Sequence, residues 1–251
     1  MHIRKLSTLL FAGIAFSLSA LSFGLTAQAS ELVPIEAFAK MPAAIGVKLS
    51  PNGDYYAGLM MIDGEERLVV VPTDGSADKV RFVAYGQYTP GFFRWGGNNH
   101  VVIELTLTSR RGSRGTRTIE SRLGVIDAET GELSILIKHK LNRGKHFSQF
   151  QSNIVSLLPD DNDHILVQLD ENNPLVPDVF KVNLKTKGRS VHRRGRTGIT
   201  KWMADARGNV RMGYGRVIVA GYYSDKIRIV FRESADEDFK LLEDFNAGGG
   251  Q

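Results

Sequence analysis

Apolar residues recur at every second position around one turn. Ile45, Val47 and Leu49 precede the stretch Ser50-Pro51-Asn52-Gly53-Asp54, and Tyr55, Ala57 and Leu59 follow it. A period of two sends successive side chains to opposite faces, so the pattern predicts two antiparallel strands joined by a tight hairpin. The turn residues fit that reading one by one. Pro51 presets φ for the first central position, Asn52 tolerates the second, and Gly53 supplies a residue that accepts positive φ at no steric cost.

Looser copies of this plan fill the rest of the chain. The first unit continues through strands expected at 55–61, 68–71 and 79–83, with turns at Asp63-Gly64 and Asp74-Gly75. The second opens on Phe92-Phe93-Arg94-Trp95 and turns at Gly96-Gly97-Asn98-Asn99. It runs on through 100–108, 123–127 and 133–137, with 109–117 as a long polar hairpin tip. The third places strands at 154–158, 164–169, 179–184 and 189–192 around the turn Pro159 to Asp163. The fourth begins at Ile199, sets Trp202 where Trp95 stood, turns at Asp205 to Asn209, and uses 210–214, 227–231 and 239–245. Turn markers spaced roughly 45–65 residues apart match a propeller blade with one insertion. The expected fold is therefore all-β, a partial β-propeller of about four four-stranded blades over residues 44–246. Ser50, Pro51, Asn52, Gly53, Trp95 and Trp202 are its blade turn markers. Each blade buries its faces by stacking on its neighbours, and Trp95 and Trp202 are expected to pack between sheets.

Composition changes the picture mainly at the ends. Of 251 residues, 42% are hydrophobic and 26 are glycine, enough for a packed core with many turns. Arg4 and Lys5 precede an uncharged, largely apolar run over 6–25, and Ala27-Gln28-Ala29 stands before Ser30. This is the layout of a signal peptide over 1–29, with Ala27 and Ala29 as the small residues of the cleavage site. That site favours cleavage over an uncleaved anchor, although the run approaches bilayer-spanning length. Zero cysteines exclude a lipid-bearing cysteine and any disulfide. A periplasmic or secreted protein, with no membrane attachment after cleavage, is expected. Residues 30–43 form a lead-in with an extended start and one helical turn, and 247–251 a flexible tail. The net charge of +5 names no partner by itself.

The lead-in Val33-Pro34-Ile35-Glu36-Ala37-Phe38, the Leu49 to Gly53 turn, Phe93-Arg94-Trp95-Gly96, 123–131, 157–163 and 202–211, taken in order, resemble one family. The chain is similar to the N-terminal propeller of prolyl oligopeptidase-family serine peptidases, of the bacterial dipeptidyl aminopeptidase and acylaminoacyl peptidase type. The resemblance implies a propeller that filters substrates for an α/β-hydrolase domain carrying a Ser-Asp-His triad. That chemistry needs a serine on a Gly-x-Ser-x-Gly elbow, which this sequence lacks. In Gly221-Tyr222-Tyr223-Ser224-Asp225 the serine has no such glycine frame and falls between expected strands. The resemblance thus implies a truncated exported member with part of the gating propeller and no catalysis of its own. The missing hydrolase domain and a peptide or protein would be its partners. A stand-alone periplasmic propeller that binds a protein or cell-envelope partner is the other reading that the residues leave open.

Other candidate chemistry is thin. Arg110, Arg111, Arg114, Arg117 and Arg122 suit an anion, but the segment has no aromatic interleaving for nucleic acid and is expected to be a solvated tip. The run Lys185, Lys187, Arg189, His192, Arg193, Arg194 and Arg196 is expected to be solvated in the same way. Asp160, Asp161 and Asp163 lack the glycine bend and distal carboxylate of a calcium loop. The six histidines, His2, His100, His139, His146, His164 and His192, show no metal-ligand spacing. No catalytic residue, metal or cofactor is expected.

Overall fold

Strand residues alternate on both sides of a buried plane, and the chain satisfies them by meandering through four antiparallel sheets. A computed structural model describes residues 44–111, 115–138, 146 and 148–248. These belong to the second of two units, Ala43–Gln251. The expected signal peptide with Ala27 and Ala29 at its cleavage site, the expected lead-in over 30–43 and the last three residues lie outside the described residues.

Blade 1 comprises β1 (Ile45–Leu49), β2 (Tyr55–Ile62), β3 (Glu65–Pro72) and β4 (Arg81–Val83). Blade 2 comprises β5 (Thr89–Trp95), β6 (His100–Arg111), β7 (Thr116–Asp127) and β8 (Leu133–Ile135). Blade 3 comprises β9 (Ile154–Ser156), β10 (His164–Leu169), β11 (Asp178–Asn183) and β12 (Arg189–Arg193). Blade 4 comprises β13 (Lys201–Ala204), β14 (Val210–Val219), β15 (Tyr222–Phe231) and β16 (Lys240–Asn246). Within each sheet the strands lie in sequence order. First strands of neighbouring blades approach each other, β1 to β5 and β9 to β13, as radially arranged sheets converge on their inner strands. The all-β, four-blade partial propeller is the observed fold.

Three buried clusters fill the spaces between blades. Leu68, Val70 and Val83 of blade 1 meet Val101, Ile103 and Leu105 of blade 2. The other face of blade 2, with Val102, Leu123 and Val125, meets Ile165, Val167 and Leu169 of blade 3. Leu166 and Val179 then meet Ile199, Trp202, Val210 and Val230 of blade 4. Alternation along β6 and β10 thus serves two interfaces at once. Turns also interlock. A Cβ on Gly97 (φ +69) would lie 2.2 Å from the Asn162 carbonyl oxygen, and one on Gly208 (φ +82) 2.1 Å from Leu158 Cδ2. Only glycine fits both the close approach and the left-handed backbone at these sites.

The opening turn closes through the Gly53 N–H donating to the Ser50 carbonyl at 3.0 Å. The buried Ser50 hydroxyl accepts the Tyr55 N–H at 3.0 Å and donates to Asn52 Oδ1 at 2.8 Å. The two indoles hold different registers rather than equivalent ones. Trp95 pairs with Val101, next to its turn, whereas Trp202 pairs with Gly213, farther from its own turn across a bulge. Both nevertheless donate Nε1–H to a carbonyl of the preceding blade, Trp95 to Lys48 and Trp202 to Pro177, each at 2.9 Å.

Three strand expectations need correction. Ala77–Lys79 is a 3-10 turn, so the strand expected from Lys79 starts at Arg81. The polar stretch 109–117 stays paired as far as Arg111 opposite Thr116, because backbone ladder bonds need no apolar pattern. Residues 215–226, expected to lie between strands, complete β14 and β15, which meet at Ala220 (φ 50) and Gly221 (φ 84).

Trp202→Ala is expected to cost about 3–5 kcal/mol and Trp202→Phe about 1 kcal/mol through the orphaned Pro177 carbonyl. Phe82→Ala, at a side chain 56% exposed on the outer face of blade 1, should cost less than about 0.5 kcal/mol. Urea unfolding of the three variants measures this ordering.

At the edge strand β16, Asp244 accepts two bonds from Arg228, at 3.0 and 2.9 Å, and pairs with Lys226 at 3.1 Å. The hydrogen bonds from Arg228 are the main cause that lowers its carboxyl to about 2 from 3.8. A depressed folded value means stability that is present above 3.8 and is lost as pH falls through about 2. Asp244→Asn should lower stability at neutral pH and flatten its decline across that window, read by thermal melts from pH 7 downwards.

Candidate functional site

The inner strands carry the most site-like concavity. Between blades 3 and 4 a cavity of about 480 Å³ is framed by Phe150, Asn153, Gln168, Asp170, Lys201 and Tyr223. A second, of about 340 Å³, lies between blades 2 and 3 against Phe92, Arg94, Ser152 and Asn153. Asn153, just ahead of β9, lines both, so the two cavities adjoin at this residue, one on the side of blade 2 and one on the side of blade 4.

Buried polar groups hold these cavities in shape. Gln168, 5% exposed, donates Nε2–H to the Thr200 carbonyl and accepts the Trp202 N–H on Oε1, each at 2.9 Å. One side chain thereby fixes β13 against β10. The Ser152 hydroxyl donates to Glu104 Oε1 at 2.5 Å and meets Ser121 Oγ at 2.9 Å, joining blades 2 and 3.

Cations recur along the inner strands. Lys48 Nζ donates to the Phe93 carbonyl at 3.0 Å and lies 4.9 Å from that ring's centroid. Burial, and then the neighbouring Arg94 charge, lower its pKa. Arg94 lies 5.6 Å from the Phe92 ring. Lys201 donates to Asn153 Oδ1, and burial lowers its pKa. Partly desolvated ammonium groups at Lys48 and Lys201, and the Arg94 guanidinium beside the Phe92 ring, suit a carboxylate-bearing ligand.

One serine, one histidine and one aspartate meet beside the larger cavity, yet not as a nucleophilic triad. Asp170 stands at the centre, taking the Ser148 hydroxyl on Oδ1 at 2.5 Å and His146 Nε2 on Oδ2 at 3.0 Å. A nucleophilic serine must give its proton to the imidazole. Ser148 instead donates its hydrogen bond to the carboxylate and is fully buried, so the trio links Ser148 and His146 to Asp170 at the end of β10. Ser224 lies within β15 rather than between strands, and its hydroxyl donates to the Val217 carbonyl at 2.8 Å, stapling the hairpin.

The remaining candidates fall elsewhere. In the acidic turn, burial opposes ionisation of Asp161. Hydrogen bonds from Lys181 and His164 overcome it and hold the carboxyl well below the carboxylate range. The second basic run is not simply solvated. Arg189 pairs with Glu171 at 2.8 Å, Arg194 with Asp178 at 3.2 Å, Arg196 donates to the Phe239 carbonyl, and Arg193 stacks on the Phe239 ring. Among the described residues no cluster of histidine, cysteine, aspartate or glutamate is arranged to hold a metal ion. No helix among them is long and apolar enough to cross a membrane.

Gln168 and Asn153 were not singled out by sequence reasoning. The available signal for Gln168 was a lone amide inside the apolar run from Ile165 to Leu169.

No protein-family model matches the chain, and no curated protein is similar to it. Solved structures resemble it at low identity. An oligogalacturonate lyase in complex with manganese is 12% identical, with a TM-score of 0.46 over 82% of this chain and 55% of that one. A putative TolB from Agrobacterium tumefaciens is 14% identical, with a TM-score of 0.40 over 82% and 69% of the two chains. TolB from Acinetobacter baumannii is 13% identical, with a TM-score of 0.40 over 80% and 43%. This chain spans about half the length of that lyase.

Proposed function

We propose that the chain is the substrate-gating propeller portion of an exported protein of the prolyl oligopeptidase type, binding an extended peptide along its inner strands and cleaving nothing itself. The observation that carries this reading is the pair of cavities that adjoin at Asn153, with Arg94 in one and Lys201 in the other, and Phe92, Phe150 and Tyr223 as apolar contacts. Strands β5, β13 and β15 present Phe92, Arg94, Lys201 and Tyr223, which lowers the ordering cost to the protein when a peptide enters. The bound segment is a peptide that bears a carboxylate. Ser148 and Ser224, both committed to internal hydrogen bonds, support a binding rather than a hydrolytic role.

A stand-alone periplasmic propeller that binds a protein or envelope partner is the second reading. The outward apolar faces of the end blades favour it, with Val47, Leu49 and Phe82 exposed on blade 1 and Met203, Tyr214 and Phe245 on blade 4.

Calorimetric titration with a library of acidic and amidated peptides tests the first reading. Acidic peptides should bind, and Arg94→Ala with Lys201→Ala should weaken them by about tenfold or more, the loss of one or two charge-assisted hydrogen bonds. Peptide cleavage by the purified chain, or affinity unchanged in the double variant, would overturn it.

A further inference from the structure

The ribbon at the end of blade 2 places two arginines directly across from each other. Arg110 on β6 pairs with Arg117 on β7, and both are exposed. Like charges opposite one another on a ribbon are destabilising, so this pairing works against the hairpin that carries it. The local acid does not relieve it. Glu120 is the only acidic residue between Leu105 and Arg122, and it is buried. Its carboxylate takes the Ser109 hydroxyl and Arg122 Nη2, each at 2.5 Å. By the two-residue alternation, Glu120, Ser109 and Arg122 occupy one face of the ribbon, and Arg110, Arg117, Thr108 and Ile119 the other.

The arginine-bearing face is also open. β5 accompanies β6 only as far as Thr106, opposite Thr89, so the ribbon beyond it overhangs the blade. Its base is tied down by the Gln149 side chain donating to the Ile119 carbonyl and by the bridge between Ser121 and Phe150. Two guanidinium forks therefore sit on a braced ribbon, across the short separation of a cross-strand pair.

We propose that Arg110 and Arg117 form a clamp for a phosphate monoester group. Such a group carries about two negative charges and three acceptor oxygens, which neutralises both guanidiniums, whereas a single carboxylate leaves one charge uncompensated. Each fork can take two oxygens in a planar, bidentate contact. Thr108 on the same face adds a hydroxyl donor. The group comes either from a soluble ester or from a lipid headgroup, for which the exposed Ile119 offers an apolar neighbour.

The test uses the full chain at constant ionic strength, with chloride as the reference anion. Inorganic phosphate should raise the thermal midpoint of the wild type and broaden its own 31P signal. Arg110→Gln with Arg117→Gln should weaken phosphate binding by at least about tenfold, the loss of charge-assisted bonds, and should be no less stable than wild type without phosphate. Arg117→Lys, which keeps the charge and loses the fork, guards against a folding defect and should lose most of the affinity. Sedimentation with phosphatidylcholine vesicles, with and without phosphatidic acid, separates the sources. Capture by phosphatidic acid that phosphate competes away assigns a headgroup, and phosphate binding without capture assigns a soluble ester. A chloride shift equal to that of phosphate, an unaltered response in the double variant, or no phosphate binding by the wild type overturns the proposal.

Discussion

Every inner blade of this molecule must bury two faces, and the remaining features follow from that constraint. In β6, Val101, Ile103 and Leu105 fill the space towards blade 1 while Val102 fills the space towards blade 3. In β10, Ile165, Val167 and Leu169 look back to blade 2 and Leu166 looks on to blade 4. Full burial of such side chains contributes roughly 1.5–3 kcal/mol each, so the interblade clusters dominate the stability of the fold. The same constraint explains why the outer faces of blades 1 and 4 remain apolar at Leu49, Phe82, Met203 and Tyr214. They have the composition of interface faces without a neighbour among the described blades.

Apolar stacking has no direction, so the angle and register between blades need polar fastenings. The two indole N–H groups supply them at either end, from Trp95 to the Lys48 carbonyl and from Trp202 to the Pro177 carbonyl. Gln168 supplies another in the middle, imitating a strand pairing with one amide. A buried amide that lost these partners would cost more than the bonds contribute, which makes the inner-strand geometry close to all-or-none. Gln168, which makes this fastening, also lines the cavity between blades 3 and 4.

Local chemistry was legible in the sequence wherever one residue type decides a conformation. Pro51 and Gly53 announce their turn, and the β-branched run of β6 announces its strand. The β14–β15 ribbon was not legible, because its residues pair through backbone bonds without apolar alternation around Arg216, Tyr222 and Ser224. The unequal registers of the two tryptophans were hidden by a bulge between Met203 and Ala204. A repeated device was also missed. Asp127 caps the N–H groups of Glu129 and Thr130, Asn183 caps those of Lys185 and Thr186, and positive φ follows at Gly131 and Lys187. The adjoining cavities draw on Phe92, Asn153 and Lys201 from three blades, and no spacing along the chain brings these together.

The cavities and the Asp170 trio show why residue types alone do not define an activity. Serine, histidine and aspartate are all present beside a cavity, but a carboxylate at the centre holds both neighbours by hydrogen bonds, and the buried hydroxyl has no route to a substrate. A hydrolytic arrangement would need the imidazole in the middle and an exposed oxygen. What the inner strands do present outward is charge and aromatic surface, from Arg94 on Phe92 to Lys201 beside Asn153. Lys201, partly desolvated by burial, interacts more strongly with an opposite charge than the same group in open water.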